Sequence, residues 1–581
     1  MKKAALATLI CTLVLLAAAP GTGAARLSTP PEEAAQSPAK FKVTTRLVLL
    51  NVLVHDHGGH PIGGLSKTDF EVTDAGRPET ISLFSVNQFT HASTGTPPDR
   101  TLPPNVVTNW PTGRVGAPVG VTVVLIDKYN TKLMDQARVK RQLIQFLSKV
   151  LPEEDQVAIY ALNSKGFAIV HDFTNNAASL KTAMEKEEPQ SSHELEGAAF
   201  DRANTGKDQV DAMLDESNTI MSNFFTQDRI VNTCAALKSV ADRLSGIPGR
   251  KNLIWITGSV PMELRTRGLE GHSLGEMKPT LDQGEQYFAS YVEKAGQALN
   301  NANVAVYPVD AGGVVTASFT DASRSFPPDP GRHNLPSMPE FYVDNHNTMT
   351  MEYLADLTGG KAFHDTNDVA KAVRNAIDDS SVSYTLGYYV TASEWNNKHH
   401  KIKVTVRRSG MQVRTKKEYL AQDKPTPTSV QLEEVLKEAI WSPLDSTRLA
   451  IIARIDPSPV LPNASRFSFA IDAAEIDFRQ EQETYLGEMD LLFFQEHQGG
   501  ERAAGLKKTV KIALTPERYK VMQQSGLTLG DDLRILPDTV AVRVIVVDRS
   551  SGATGSITVR VRPEDKSGAT VVPSAGQTAP H

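Results

Sequence analysis

Cysteine is nearly absent from this chain: only Cys11 and Cys234 occur in 581 residues. A disulfide framework, or a zinc or iron–sulfur centre built from thiolates, needs more. A positive excess is lacking too. The 67 acidic residues outnumber the 61 Lys and Arg, for a net charge of -6. That excludes the basic face a nucleic-acid partner requires. Apart from one N-terminal stretch there is no long apolar run, so a multi-span membrane protein is excluded. The H-E-x-x-H zinc helix and the G-x-x-x-x-G-K-[ST] phosphate loop are missing as well. Gly58-Gly59 and Gly63-Gly64 lie between strand-like runs and open no helix. What is present is an ordinary globular mix, 40% hydrophobic and 22% charged, long enough for about three to four domains.

Lys2 and Lys3 precede an apolar run from Ala4 to Ala19, and Gly23, Ala24 and Ala25 follow. A charged start, an apolar centre and a small-residue end predict a cleaved signal peptide over 1–25. The expectation is export to the periplasm or the extracellular space, with no transmembrane segment left after cleavage and Cys234 the one remaining thiol. Residues 26–40 are rich in Ser, Pro, Ala and Glu and predict a flexible spacer.

From Phe41 short alternating runs closed by Gly and Asp clusters predict an antiparallel β module over 41–90, then a Pro/Thr/Gly linker over 91–118. The periodicity then changes. Val121–Ile126 and Asn252–Ile256 are continuous apolar runs, as expected of strands covered on both faces. They alternate with helical stretches such as 227–244 and 283–300. This pattern predicts one enlarged α/β domain over 119–380, interrupted by polar inserts at 188–226 and 312–349. Strands return over 381–420, and because the first module is thin they are candidates to pack with 41–90. A helical linker over 421–445 leads to about seven strands over 446–563, spaced as in an immunoglobulin-like β-sandwich, and a loose tail over 564–581.

The stretches Gly64-Leu65-Ser66-Lys67-Thr68-Asp69-Phe70-Glu71-Val72, Val124-Leu125-Ile126-Asp127, Pro248-Gly249-Arg250-Lys251-Asn252-Leu253-Ile254-Trp255, Val306-Tyr307-Pro308-Val309-Asp310 and Tyr384-Thr385-Leu386-Gly387-Tyr388-Tyr389 occur in an order that resembles the bacterial secreted proteins called VWFA-related. The resemblance covers about 41–420 and implies a Rossmann-like, doubly wound von Willebrand factor type A domain flanked by β modules. It also implies a binding role. Metal-dependent type A domains carry Asp-x-Ser-x-Ser after the first strand, a Thr before a later helix and an Asp at the end of the central strand. Here the first motif reads Asp127-Lys128-Tyr129-Asn130-Thr131, the middle position falls to Thr226 or Thr233, and Thr257-Gly258-Ser259 lacks the Asp. The implied site is therefore degenerate: Asp127, Thr131 and Asp310, holding magnesium or calcium weakly or not at all. The competing reading makes Asp127 a helix N-cap.

Among other clusters, His55-Asp56-His57 with His60 and the pair His399-His400 read as hydrophilic turns, and Cys234 reads as a small buried hydrophobe on a helix. The expectation is an exported, non-enzymatic, adhesion-type protein whose type A domain contacts another protein or a cell-envelope polymer. The rivals are an envelope-acting hydrolase working through the two inserts, and a structural envelope component without a ligand.

Overall fold

The computed structural model describes residues 45–88, 105–110, 120–148, 156–198, 208–258, 278–313, 350–422 and 426–561, less a few isolated positions within these ranges. The leader, the spacer, most of the insert 312–349 and the tail lie outside them.

The chain begins with β1 (Thr45–His55), β2 (Phe70–Asp74), β3 (Arg77–Glu79), β4 (Leu83–Gln88) and β5 (Val106–Thr108). It continues through β6 (Val121–Asp127), α1 (Leu133–Leu147), β7 (Gln156–Asn163), β8 (Gly166–Thr174), α2 (Ala177–Lys186), α3 (His193–Ala198) and α4 (Asp208–Leu244). After β9 (Lys251–Thr257) come α5 (Lys278–Asn301), β10 (Val304–Asp310), α6 (350–358) and α7 (Val369–Asp378). Strands β11 (Val382–Thr391), β12 (Lys398–Val406), β13 (Gln412–Arg414) and β14 (Glu418–Ala421) precede α8 (Ser429–Trp441). The last region holds β15 (Ile451–Pro457), β16 (Ala464–Ile471), β17 (Arg479–Glu481), β18 (Thr484–His497), β19 (Arg502–Leu514), α9 (Pro516–Ser525), β20 (Leu527–Arg534), β21 (Thr539–Asp548) and β22 (Thr554–Arg560).

The molecule is mixed α/β, with several antiparallel sheets and one largely parallel sheet ordered β10-β9-β6-β7-β8. Only β8 runs antiparallel in it. Alternate side chains of β6 feed different cores, which is why its sequence is apolar without a break. Val121, Val123 and Leu125 pack with Leu237 of α4 and Leu299 of α5, whereas Val124 and Ile126 pack with Leu143 of α1 and Val373 of α7. The chain leaves β6 for β7 on one side and returns through β9 on the other. The strand order therefore reverses between β6 and β9, and the crevice beyond their carboxyl ends is where such sheets bind ligands.

Strands from both sides of this domain build a second body. β1 and β4 pair with β11, and β13 flanks β1; β2 pairs with β12, flanked by β3 and β14. The two sheets enclose Leu50, Val52, Phe70, Val72, Tyr384, Leu386 and Ile402. Neither half could bury that core alone.

Three expectations are corrected. The linker 91–118 supplies a strand: Val106–Thr108 pairs with β15 as the edge of the sheet β20-β16-β15-β5. Its anchor is Asn109, whose carboxamide donates to the carbonyls of Ser446 and Leu449 and accepts from the Ile451 amide. That sheet faces a second one, β17-β18-β21-β22 with β19 beside β18, across a core containing Phe467, Phe469 and Phe493. The helix of the 421–445 linker is not a free connector, because Leu432 and Leu436 pack on Leu492, Ile545 and Val547. Finally, the insert 188–226 is largely helical. It contains α3, and α4 starts at Asp208 and not at residue 227. Its apolar positions recur at helical spacing, but Asp, Asn and Ser dilute them below what composition alone would read as a helix.

Candidate functional site at the carboxyl edge of the parallel strands

β6 and β9 end side by side, with Asp127 opposite Thr257, and Asp310 of β10 is opposite Thr257 in turn. One cross-strand row thus carries Asp127, Thr257 and Asp310. Two strand spacings separate the first from the last, about 10 Å between Cα atoms. Asp310 is engaged locally, its Oδ1 accepting from the Gly312 amide at 2.7 Å. Asp127 and Asp310 are not brought together around one point.

Asp127 is fully buried. Its carboxylate accepts from the Asn130 amide at 3.1 Å, from Asn130 Nδ2 at 2.9 and 2.8 Å, from Trp255 Nε1 at 3.2 Å and from Thr257 Oγ1 at 2.9 Å. Burial pushes this carboxyl above its ordinary pKa, and the bonds from Asn130, Thr257 and Trp255 oppose the shift. The Thr131 hydroxyl does not turn toward the carboxylate. It donates back to the Asp127 carbonyl. Nor is Asp127 the cap of α1, since that helix starts at Leu133 with Lys132 at its N-cap. The carboxylate instead closes a tight loop over residues 127–130.

Helix α4 contributes a group that no local motif singles out. Arg229, 4% exposed, donates from Nε to Asn130 Oδ1 at 2.9 Å, and Asn130 Nδ2 also donates to Thr233 Oγ1 at 2.7 Å. Arg229 and Thr233 are four apart and so share one face of the helix. Of the two threonines weighed for the middle position, Thr233 is therefore the one at the loop. Burial pulls the Arg229 guanidinium below its ordinary pKa, while the Asp127 carboxylate favours the protonated form. A guanidinium stays charged in a protein. The site thus holds a permanent cation one carboxamide away from its carboxylate.

The surrounding loop is tightly stapled. Gln136 is buried; its Nε2 donates to the carbonyls of Lys128, Thr131 and Gln190, and its Oε1 accepts from the Gln190 amide. Lys128 is paired with Glu187 and donates to the Glu188 carbonyl. Tyr129, in place of a small hydroxyl, is buried and donates to Asp228. A Cβ on Gly258 would stand 2.7 Å from the Asn130 carbonyl, so the β9 end and the loop touch backbone to backbone.

A divalent cation needs free oxygen lone pairs. Here the carboxylate already faces N–H and O–H donors, and Arg229 supplies the positive charge. These residues do not fit a metal ion. Among the described residues no group of three or more His, Cys, Asp or Glu is placed to hold one.

The other clusters separate. His55 Nε2 lies 2.7 Å from Asp379 Oδ1 in the interior, whereas His60 reaches only Asp56 at the surface. His399 and His400 are in strand β12, not in a turn; His400 is buried opposite Tyr419. The alternation His400, Ile402, Val404 was the available signal. Cys234 is buried, which pushes its thiol up to about 12. A G-x-S-x-G pentapeptide, Gly271-His272-Ser273-Leu274-Gly275, lies outside the described residues.

No protein-family model and no curated protein matches this chain. Solved structures similar to it include the SpRpn10 VWA domain, at 9% identity over 44% of this chain and 94% of that one, with a TM-score of 0.19. The TFIIH p34 N-terminal domain matches at 10% identity, 45% and 97% coverage and a TM-score of 0.19. The human COPII-coat protein Sec24c matches at 11%, 52% and 43%, and 0.23. Scores this low carry no argument; the reading below rests on geometry.

Proposed function

We propose that this chain is an exported, non-enzymatic interaction protein whose type A-like domain, over 119–380, docks a partner protein through the exposed face of the first half of α4. The carboxyl-edge site acts as a rigid internal anchor for that helix and binds no metal. The observation that carries the reading is an apolar stripe that stays exposed among the described residues. Val210, Met213, Leu214, Ile220, Met221 and Phe224 are all exposed, with Met213 at 75% and Phe224 at 61%. Their spacing puts them on one side of the helix, in the i, i+3, i+4, i+7 pattern of helix-in-groove recognition. Exposed apolar patches of this kind mark interaction surfaces. Residues 208–228 carry five acidic and no basic residues, so the fitting partner is a protein with an apolar groove rimmed by Lys or Arg. Just beyond the stripe, Arg229 and Thr233 tie α4 to the Asp127 loop, which fixes the direction of the helix. The split β module and the C-terminal sandwich, which the spacing of its strands relates to immunoglobulin-like domains, act as spacers.

The test is capture of extracytoplasmic proteins from the producing cell by the full chain, by an Ile220→Asp/Phe224→Asp variant, and by both in the presence of a chelator. The expected result is a partner retained by the native chain with or without chelator and lost by the variant. Capture that needs divalent cations, or that survives the double substitution, contradicts the proposal.

A further inference from the structure

A cavity of about 340 Å³ opens in the split β module, between the β2–β3 hairpin and the connection from β11 to β12. Its inner wall is unusual for a sandwich core. Inward positions of β2 read Phe70, Val72, Asp74, so a carboxylate occupies the third core position and is 4% exposed. Tyr388 of β11 donates to Asp74 Oδ2 at 3.0 Å, Tyr419 of β14 donates to the same oxygen at 2.7 Å, and His400 Nδ1 lies 2.9 Å from Oδ1. Tyr419 also approaches His400 Nδ1 at 3.4 Å. Four strands thus each place one polar group at a position where an apolar side chain would pack without a desolvation cost. Burial, followed for Tyr388 by the neighbouring Tyr419 and Asp74 and for Tyr419 by the bond to Asp74, pushes both phenols above their ordinary pKa, so they remain donors.

This network fixes the imidazole. With the Asp74 carboxylate as acceptor, Nδ1 carries the proton, and Nε2 of the neutral ring is an acceptor. His400 lines the cavity at 8% exposure, and Nε2 has no protein hydrogen bond among the described residues. The rim adds Glu79 of β3, Glu394 and Asn396. Among the described lining residues Arg77 is the one Lys or Arg; it lies 3.3 Å from Glu394, whose other oxygen accepts from Thr391. Burial raises the Glu79 carboxyl, the nearby Asp74 and Glu394 add to that, and Arg77 offsets it in part. An anion with unfavourable neighbours of its own sign is relieved by a cation.

The geometry points to a primary-ammonium binding site: the cavity takes a –NH₃⁺ group, whose three N–H donors meet His400 Nε2, the Glu79 carboxylate and the Asn396 carboxamide oxygen at the rim. An ammonium is a compact charge with three donors and no acceptor, which matches a wall that offers acceptors and negative charge. No group of described carboxylates and imidazoles here is placed to hold a metal ion. Two sources share the ammonium chemistry, a lysine side chain of a polypeptide and a free alkylamine.

Calorimetric titration of the full chain with N-acetyl-lysine methylamide, with cadaverine and with N-acetyl-norleucine methylamide tests the assignment. Saturable binding of at least one amine and none of the norleucine derivative is expected, weakened at least about ten-fold by Glu79→Gln. Glu79 is on a short edge strand and only partly exposed, so this change leaves the fold intact; unchanged thermal unfolding verifies that. Preference for the lysine derivative assigns a polypeptide source, and preference for cadaverine a free amine. No saturable amine binding, equal binding of the norleucine derivative, or affinity unchanged in Glu79→Gln overturns the proposal. So does calcium binding that Glu79→Gln abolishes in the absence of amine binding.

Discussion

Replacing Asp127 by alanine removes the acceptor for Trp255 Nε1, Thr257 Oγ1 and the Asn130 amide and carboxamide, all in a fully buried loop. Leaving a buried donor unpaired costs about 1–3 kcal/mol. The Thr257 hydroxyl can rotate and Asn130 keeps Thr233, so the low end applies to each. Loss of the counter-charge for Arg229 brings the sum to about 3–5 kcal/mol, the range found when one member of a buried ion pair is removed. For an α/β domain of this size that corresponds to a fall in Tm of roughly 10 °C. Differential scanning calorimetry gives the shift, and amide hydrogen exchange in β6 and β9 locates it. A metal-site reading predicts the opposite sign in metal-free protein: an unliganded carboxylate is itself a liability, and its removal is neutral or stabilising. An Asp127→Ala variant that unfolds within about 0.5 kcal/mol of the native chain refutes the anchor.

Three further outcomes follow from particular residues. Lys251 is 2% exposed, its Nζ donates to the Ile247 carbonyl at 2.6 Å, and burial lowers its pKa to about 7. The unfolded chain therefore holds the extra proton between pH 7 and about 10.4, so stability rises with pH across that window, by up to about 5 kcal/mol; urea midpoints that do not rise, or that rise equally in Lys251→Met, contradict this. A segment comprising 41–90 stays unfolded alone and gains cooperative structure with 380–420, by circular dichroism, because each sheet of that body draws strands from both; a cooperative transition from 41–90 alone defeats it. Ser273 is not labelled by a fluorophosphonate probe, and stoichiometric labelling would move the leading reading to a hydrolase.

Much of the α/β region was legible because β6 and β9 are covered on both faces, and a strand with two cores has to be apolar throughout. The carboxyl-edge site was legible only at Asp127, whose place follows from the strand it ends. Arg229 was not, because its role depends on Asn130, 99 residues away, and a lone Arg in an amphipathic helix reads as solvated surface. The same limit hid β5: three residues in a Pro-rich stretch become a strand only because Asn109 captures Ser446 and Leu449. At His399-His400 local hydrophilicity suggested a turn, and tertiary pairing with Tyr419 and Leu420 overrode it. The helical start of α4 was hidden for the opposite reason. Its apolar residues stay exposed among the described residues, so neither composition nor core packing announces them.

The central claim is that the positive charge of the carboxyl-edge site is built in as Arg229, so that partner docking needs no metal. Calorimetric titration of the full chain with magnesium, calcium and manganese, with Asp127→Ala alongside, tests it most directly. The account predicts no saturable heat and no rise in unfolding temperature at millimolar metal, since a ligand stabilises the native state only in proportion to its binding. Micromolar binding that Asp127→Ala abolishes would contradict it.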